Sequence, residues 1–377
     1  MTVYTAASNT FRLTDYTENY IDYTIAMTTT NPNEAFNDRV YTARGYLILE
    51  KGGEETVLYA DERTDSVNTA LARENGELSD TDIVVPGTGS GGSDSGEEDE
   101  PTVTVPEDDK DYTNADLKIL SIGNSYSQDA QAYLSKIATL EGKTFKTVNL
   151  YKAGCALKTH YEGWANNEAI YNYELNGTAN ADYNSFVSLK AVLESDQFDV
   201  ITLQQSSWGS LSYGNFQPYL NNLITEIRKL QPNATIYIHQ TWAYGDGHAS
   251  HNATSGGTMA AMWLKVEAAY NSAAAETGLP LIPSGQAIQL AQEELYTGNY
   301  SATSIQRDNA HVSKTWGRYL LARLWYEMLT GEAPDVTMNQ VNASASDDAA
   351  MEAMIQGAIA DAFAEYPADP VETEAAA

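Results

Sequence analysis

Ser125, Asp308 and His311 are the residues of this sequence whose types and settings fit nucleophilic catalysis. Ser125 lies in Ile122-Gly123-Asn124-Ser125-Tyr126-Ser127-Gln128-Asp129, where a β-branched run gives way to residues at helical spacing. Gly123 allows a tight exit from a strand, and Ser127 is placed to cap the helix that follows. A serine at such a turn stands at a sheet edge, among helix N-terminal N–H groups able to hold a developing oxyanion. At the other end of the chain, Arg307-Asp308-Asn309-Ala310-His311 precedes a second helical stretch. With Asp308 and His311 in one turn, the carboxylate can accept from imidazole Nδ1, leaving Nε2 free to take a proton from a hydroxyl. Serine, aspartate, histidine is one of several chain orders such triads take. Each piece also has a plainer use, Ser125 as a helix-start serine and the Asp308–His311 pair as caps for the helix near Ser313.

The elements that must bring these stretches together are legible as an alternation. Short β-branched runs lie at Leu117 to Gly123, Phe145 to Tyr151, Phe198 to Leu203, Ala234 to Gln240 and Leu279 to Pro283. Between and after them, Gln128 to Glu141, Tyr219 to Leu230, Met259 to Thr277 and Thr315 to Thr330 carry apolar residues at helical spacing. A last helix, about Asp347 to Ala364, places Met351, Ile355, Ala358, Ile359 and Ala362 along one stripe. About five strands with crossover helices predict an α/β fold whose parallel sheet is covered on both faces. Ligands of such sheets bind beyond the carboxyl ends of the strands, where Ser125 falls.

From Leu117 to about Pro370 the chain resembles the SGNH, or GDSL-like, hydrolase superfamily, closest to a domain-of-unknown-function branch of bacterial SGNH esterases. The resemblance rests on four blocks in order: Ile119-Leu120-Ser121-Ile122-Gly123-Asn124-Ser125, Ala153-Gly154-Cys155-Ala156-Leu157, Thr202-Leu203-Gln204-Gln205-Ser206-Ser207, and Asp308 with His311. Gln240-Thr241-Trp242-Ala243 and Ile282-Pro283-Ser284-Gly285 match as well. It implies a flavodoxin-like three-layer α/β/α sandwich and ester hydrolysis without a cofactor, with Ser125 as nucleophile. It further implies an oxyanion hole formed by the N–H groups of Ser125 and Gly154. The third block departs from the superfamily, which has an asparagine there in a Gly-x-Asn-Asp run; Gln205, or less favourably Gln204, is the expected replacement. Loss of one such donor would cost on the order of 100-fold in rate. Tyr126, His160, Trp208, His239 and Trp242, with Trp164, fall near the expected mouth, where they serve either as sugar-stacking residues or as ordinary filler.

The expected reaction is hydrolysis of small acyl esters, acetyl above all, on a carbohydrate. A lipid or thioester acyl hydrolase keeps the same triad, and a non-catalytic glycan-binding surface module is kept open by the altered third block.

Composition narrows the setting. Across 377 residues, 52 Asp and Glu against 21 Lys and Arg give a formal charge of −31, which repels nucleic acid and anionic lipid alike. The single cysteine, Cys155, excludes an internal disulfide and any cysteine-rich zinc site, and reads as a small buried hydrophobe. His248 and His251, in the polar loop from Tyr244 to Gly257, have only Asp246 nearby as a further ligand, so no metal is expected. No apolar run is long enough to span a bilayer, and no membrane insertion is expected of this chain.

Residues 1–80 are rich in Thr, Tyr and Val, with a hairpin from Tyr41–Leu49 through Lys51-Gly52-Gly53 into Thr56–Tyr59. This segment reads as a small β-rich module, a truncated immunoglobulin-like one. Through Tyr41-Thr42-Ala43-Arg44-Gly45-Tyr46 it resembles the β modules strung along surface proteins of Gram-positive bacteria. Residues 81–114, with Pro86-Gly87-Thr88-Gly89-Ser90-Gly91-Gly92-Ser93 and an acidic run, read as a flexible linker. Residues 115–370 form the hydrolase domain and 371–377 a tail. An acidic tether of this kind points to an extracellular or cell-surface enzyme whose export signal lies outside this sequence.

Overall fold

The computed structural model describes residues 105, 106, 110–179, 186–368 and 371, and between residues 4 and 66 the backbone of seven short strands. The chain divides into two compact units, residues 1–97 and 98–377. In the first, β1 (Tyr4–Ala6), β2 (Asn9–Phe11) and β3 (Thr28–Thr29) form an antiparallel sheet. Strand β4 (Val40–Ala43) pairs with β7 (Arg63–Ser66), and β5 (Tyr46–Lys51) with β6 (Glu54–Tyr59). Lys51 faces Glu54 at the closed end of the β5–β6 hairpin. The single strand expected from Tyr41 to Leu49 is two, β4 and β5, with Gly45 between them, a residue that weakens strand interiors. Residues 81–104 of the expected linker and most of the tail lie outside the described residues.

The second unit is built on one sheet. Strand β8 (Leu117–Gly123) is buried at every position except Lys118, as a central parallel strand covered on both faces must be. It pairs in parallel with β9 (Phe145–Tyr151) on one side and with β13 (Val200–Leu203) on the other; β10 (Ala169–Leu175), β11 (Thr178–Ala179) and β12 (Phe186–Ser188) come between these two in sequence but lie on the β9 side of the sheet. Strand β13 pairs with β14 (Thr235–His239), and β14 with β15 (Leu281–Ile282). Among the parallel strands the order is second, first, third, fourth, fifth, the flavodoxin-like winding, which reverses between β8 and β13 and opens a crevice at their carboxyl ends.

The sheet is mixed rather than purely parallel. Strand β10 runs antiparallel to β9 and carries β11 and β12 in turn. Between β10 and β11 stand Asn176 (φ 50) and Gly177 (φ 74), the Asn-Gly pair that favours a two-residue hairpin turn.

Helices cover the sheet. The stretch expected as one helix from Gln128 to Glu141 is two, α1 (Ser125–Gln131) and α2 (Leu134–Leu140). They are followed by α3 (Leu157–Ala165), α4 (Leu189–Ser195), α5 (Tyr219–Leu230), α6 (Met259–Thr277), α7 (Ser284–Thr297), α8 (Trp316–Thr330), α9 (Met338–Val341) and α10 (Ala349–Glu365). Helices α1 and α2 pack on α8, which also meets α7 and α10, while α3, α4 and α5 pack together. Right-handed crossovers place these two groups on opposite faces, giving three layers. Helix α5 shows the pattern plainly: Leu220, Leu223, Ile224 and Ile227 are buried along one stripe, and Arg228 and Lys229 close its last turn.

Candidate active site

Ser125 is the first residue of α1, two positions beyond the buried end of β8. The helix is capped by Asn124, whose Oδ1 accepts from the N–H of Tyr126 at 3.0 Å. Ser127, expected as the cap, sits inside the helix instead; its hydroxyl meets Asn124 O at 2.9 Å and Asn149 Oδ1 at 2.7 Å. Gly123 is required by close approach, since a Cβ there would lie 2.2 Å from Ser127 Oγ and 2.9 Å from Gln204 Oε1.

The structure brings the Ser125 hydroxyl to His311: Oγ and Nε2 are 3.0 Å apart, although 186 residues separate them in sequence. His311 Nδ1 lies 2.9 Å from Asp308 Oδ2, so the imidazole donates to the carboxylate and presents its unprotonated Nε2 to the serine. The other carboxylate oxygen accepts the backbone N–H groups of Ala310 (3.0 Å) and His311 (2.7 Å). That turn carries Asn309 at φ 59, a left-handed conformation that asparagine tolerates. Burial alone would raise the Asp308 pKa, but the N–H groups and the imidazole outweigh it and hold the carboxyl down at about 2. A folded-state value below the ordinary 3.8 stabilises the fold at higher pH, and the contribution is lost as pH falls through about 2. Asp308 is therefore ionised throughout the range in which an ester hydrolase works.

The loop bearing these residues is held from several sides. Trp242 Nε1 donates to Ala310 O at 2.8 Å, Gly245 N to Asn309 O at 2.7 Å, and Gln306 Nε2 to Ala243 O at 2.8 Å. Its tie to the serine helix is ionic. Asp129, one turn beyond Ser125 and fully buried, receives Arg307 at 2.9 Å and Arg318 at 2.7 Å. Arg307 also donates to Val312 O. One carboxylate thus fastens the start of α1 to both flanks of the Asp308–His311 turn. Sequence reasoning missed this cluster. The signal open to it was an aspartate in the middle of an otherwise buried helical stretch, a position that a carboxylate occupies only when paired.

Gly154 stands in the exposed turn after β9 at φ 61, where a Cβ would meet nothing within 4 Å but the backbone conformation favours glycine. Asn124 Nδ2 donates to Cys155 O at 3.0 Å, tying this turn to the helix cap. Among the described residues, the N–H groups of Ser125 and Gly154 have no protein acceptor. The two glutamines, expected to offer the third donor, have carboxamides that bridge neighbouring elements. Gln205 Oε1 accepts from Leu157 N (3.1 Å) and Ser206 N (2.9 Å), and its Nε2 donates to Asn215 O (2.9 Å). Gln204 Oε1 accepts from His239 Nδ1 (2.8 Å), and its Nε2 donates to Asn124 Oδ1 (2.7 Å).

Of the aromatic residues expected at the mouth, most lie inside. Tyr126, His160, His239 and Trp242 are buried, and Trp164 is half-buried against the core. Tyr126 and Trp242 pack edge to face at 4.3 Å, and the Tyr126 hydroxyl bonds Trp242 O. Burial pushes His160 and His239 down to about 3, so both stay neutral; it pushes the Cys155 thiol up to about 12, leaving it unreactive. Trp208 alone of these six candidates stands open, at 38% exposure. His251 directs its ring nitrogens to Ser255 Oγ at 3.1 Å and to the carbonyls of Tyr244 and Gly245 at 3.3 and 3.1 Å. It staples a loop, and among the described residues no group of three His, Cys, Asp or Glu is placed to hold a metal ion.

Residues 118–358 match a protein family described as "Domain of unknown function (DUF4886)". Among solved structures, a DUF4886 family protein from Bacteroides uniformis is similar at 29% identity, over 68% of this chain and 97% of that one, with a TM-score of 0.57. An acetyl xylan esterase, AlAXEase, aligns at 14% identity over 55% of this chain and 98% of its own, with a TM-score of 0.38. A member of the lipolytic protein G-D-S-L family from Veillonella parvula aligns at 13% over 56% and 96%, with a TM-score of 0.33. No curated protein matches the chain.

Proposed function

This chain belongs to the DUF4886 family, and we propose that it is a serine esterase that removes small acyl groups, acetyl in particular, from carbohydrate. The observation that carries the reading is the unbroken hydrogen-bonded run from Ser125 Oγ through His311 to Asp308, at 3.0 and 2.9 Å. As Ser125 Oγ bonds to the ester carbonyl carbon, its proton passes to His311 Nε2 and the carbonyl π electrons move onto oxygen. The N–H groups of Ser125 and Gly154 stabilise that oxyanion. Collapse of the tetrahedral intermediate breaks the bond to the sugar oxygen, which leaves with the proton from His311. Water, deprotonated by the same imidazole, then attacks the acyl-enzyme, and breaking the Oγ–acyl bond releases the acid and restores the serine. Asp308, ionised throughout, fixes the tautomer and stabilises the imidazolium.

A carbohydrate substrate is supported by the polar and aromatic residues gathered on the loops after β13 and β14, Ser207, Trp208, Tyr244 and His248. An extracellular or cell-surface place is supported by the acidic tether composition, and no helix among the described residues is long and apolar enough to cross a membrane. The N-terminal β-rich unit acts as a spacer outside the chemistry.

A series of p-nitrophenyl esters from acetate to palmitate tests the substrate class. The expected kcat/KM is highest for acetate and falls at least about 10-fold by octanoate, since a short acyl site gains nothing from added methylenes and must exclude them. A maximum at long chains would make the enzyme a lipase, and absence of turnover on every ester would favour a glycan-binding module.

A further inference from the structure

Trp208 is an indole left 38% exposed in a unit whose other mouth-facing candidates are buried or packed on the core. It follows β13, on the loop that begins with Gln204 and Gln205 at the crevice between β8 and β13. Its ring meets Tyr244 edge-on at 6.0 Å, with the planes at 82°, and Tyr244 stacks on His248 at 4.1 Å and 27°. The Tyr244 hydroxyl lies 2.6 Å from Ser207 Oγ. Three rings therefore bridge the loop after β13 and the loop after β14.

That second loop is fastened to the His311 turn through Gly245 N and Asn309 O, and His248 is near enough for the charges of Asp308 and His311 to act on it. The loop does not depend on a ligand for its shape: His251 staples it, and Asp246 Oδ1 accepts from Met259 N at 2.8 Å. His248 Nδ1 accepts from Ser250 N at 3.1 Å, which leaves Nε2 as the protonated, donating nitrogen of the neutral ring. An exposed aromatic face, hydroxyl groups on Ser207 and Tyr244, and one ring N–H together match a pyranose. The C–H face of such a ring stacks on aromatic carbon while its rim of hydroxyls needs donors and acceptors.

We infer that Trp208, braced by Tyr244 and His248, is the platform that receives the sugar ring whose ester is presented to Ser125. The inference rests on the esterase reading above and adds the subsite that selects the alcohol side of the ester. A preformed platform of this kind contributes binding without ordering a loop.

The test compares ethyl acetate, whose alcohol side carries no ring, with a monoacetylated methyl glucoside, using the full chain, Trp208→Ala and Trp208→Phe. Trp208→Ala should leave kcat/KM on ethyl acetate within about 2-fold and lower it on the sugar ester by about 10-fold, mainly through KM. Trp208→Phe, which keeps an aromatic face, should recover most of that loss. Equal losses on both substrates would mean that Trp208 only supports the fold. No loss on the sugar ester, or a wild type that cleaves ethyl acetate but not the sugar ester, would overturn the platform while leaving the esterase standing. A wild type inactive on both esters would overturn the esterase reading itself.

Discussion

Ser125→Ala is expected to lower kcat on p-nitrophenyl acetate by at least about 10,000-fold, the scale on which loss of a nucleophile acts in a serine hydrolase. Stability should hardly change. The hydroxyl is half-buried and has one side-chain partner, His311, so its removal deletes a hydrogen bond worth about 1 kcal/mol without leaving a buried donor stranded. The fold around it is set by the cap from Asn124 and by the packing of α1 on α8 and β9, none of which involves the Ser125 side chain. Activity loss with an unchanged Tm separates the catalytic role from the ordinary helix-start role. Turnover within a few fold of wild type would reduce Ser125 to the latter.

The largest expected effect on stability is at Asp129. Its fully buried carboxylate is shared by two guanidinium groups, those of Arg307 and Arg318, drawn from segments 178 and 189 residues away. Replacing both signs of a buried cluster by apolar residues can be neutral, but Asp129→Ala removes only the anion and leaves the two cations facing each other. Such a broken buried pair costs about 3–5 kcal/mol. For a unit of this size that corresponds to a fall of about 10 °C in Tm. Residual activity should drop as well, because Arg307 adjoins Asp308 and its release loosens the turn that aims His311. A thermal melt checks the first effect, and an unchanged Tm would show that the two arginines do not need this carboxylate.

The contrast between Ser125 and Asp129 explains how much was legible in the sequence. Ser125, Asp308 and His311 sit in turns whose chemistry is local: a glycine exit from a β-branched run, and an Asp-Asn-Ala-His turn closed by the aspartate itself. The parallel strands were legible as short apolar and β-branched runs, although β9 also buries Lys146, Thr147 and Asn149. The antiparallel extension β10–β12 was not read, because Ala169–Leu175 mixes Asn172 and Glu174 with aromatics, and its clearest mark is the Asn176-Gly177 turn. Nor was the Asp129 cluster, whose members are related by the fold and by no spacing.

The third block shows a different limit. Gln204 and Gln205 have the chemistry of oxyanion donors, and only their partners reveal bridging: His239 and Asn124 for one, Leu157 and Asn215 for the other. Tyr126 and Trp242 failed as rim residues for a related reason. An aromatic ring with one polar atom suits a core or a rim equally, and here the polar atoms bond Trp242 O and Ala310 O from within.

The central claim, that Ser125 is made nucleophilic by His311, is tested most directly by treating the protein with diisopropyl fluorophosphate and mapping the adduct by peptide mass spectrometry. A single adduct on the peptide containing Ser125, formed in the wild type and lost or greatly slowed in His311→Ala, is the predicted result. An adduct on another residue, or equal labelling of Ser125 without the imidazole, would contradict it.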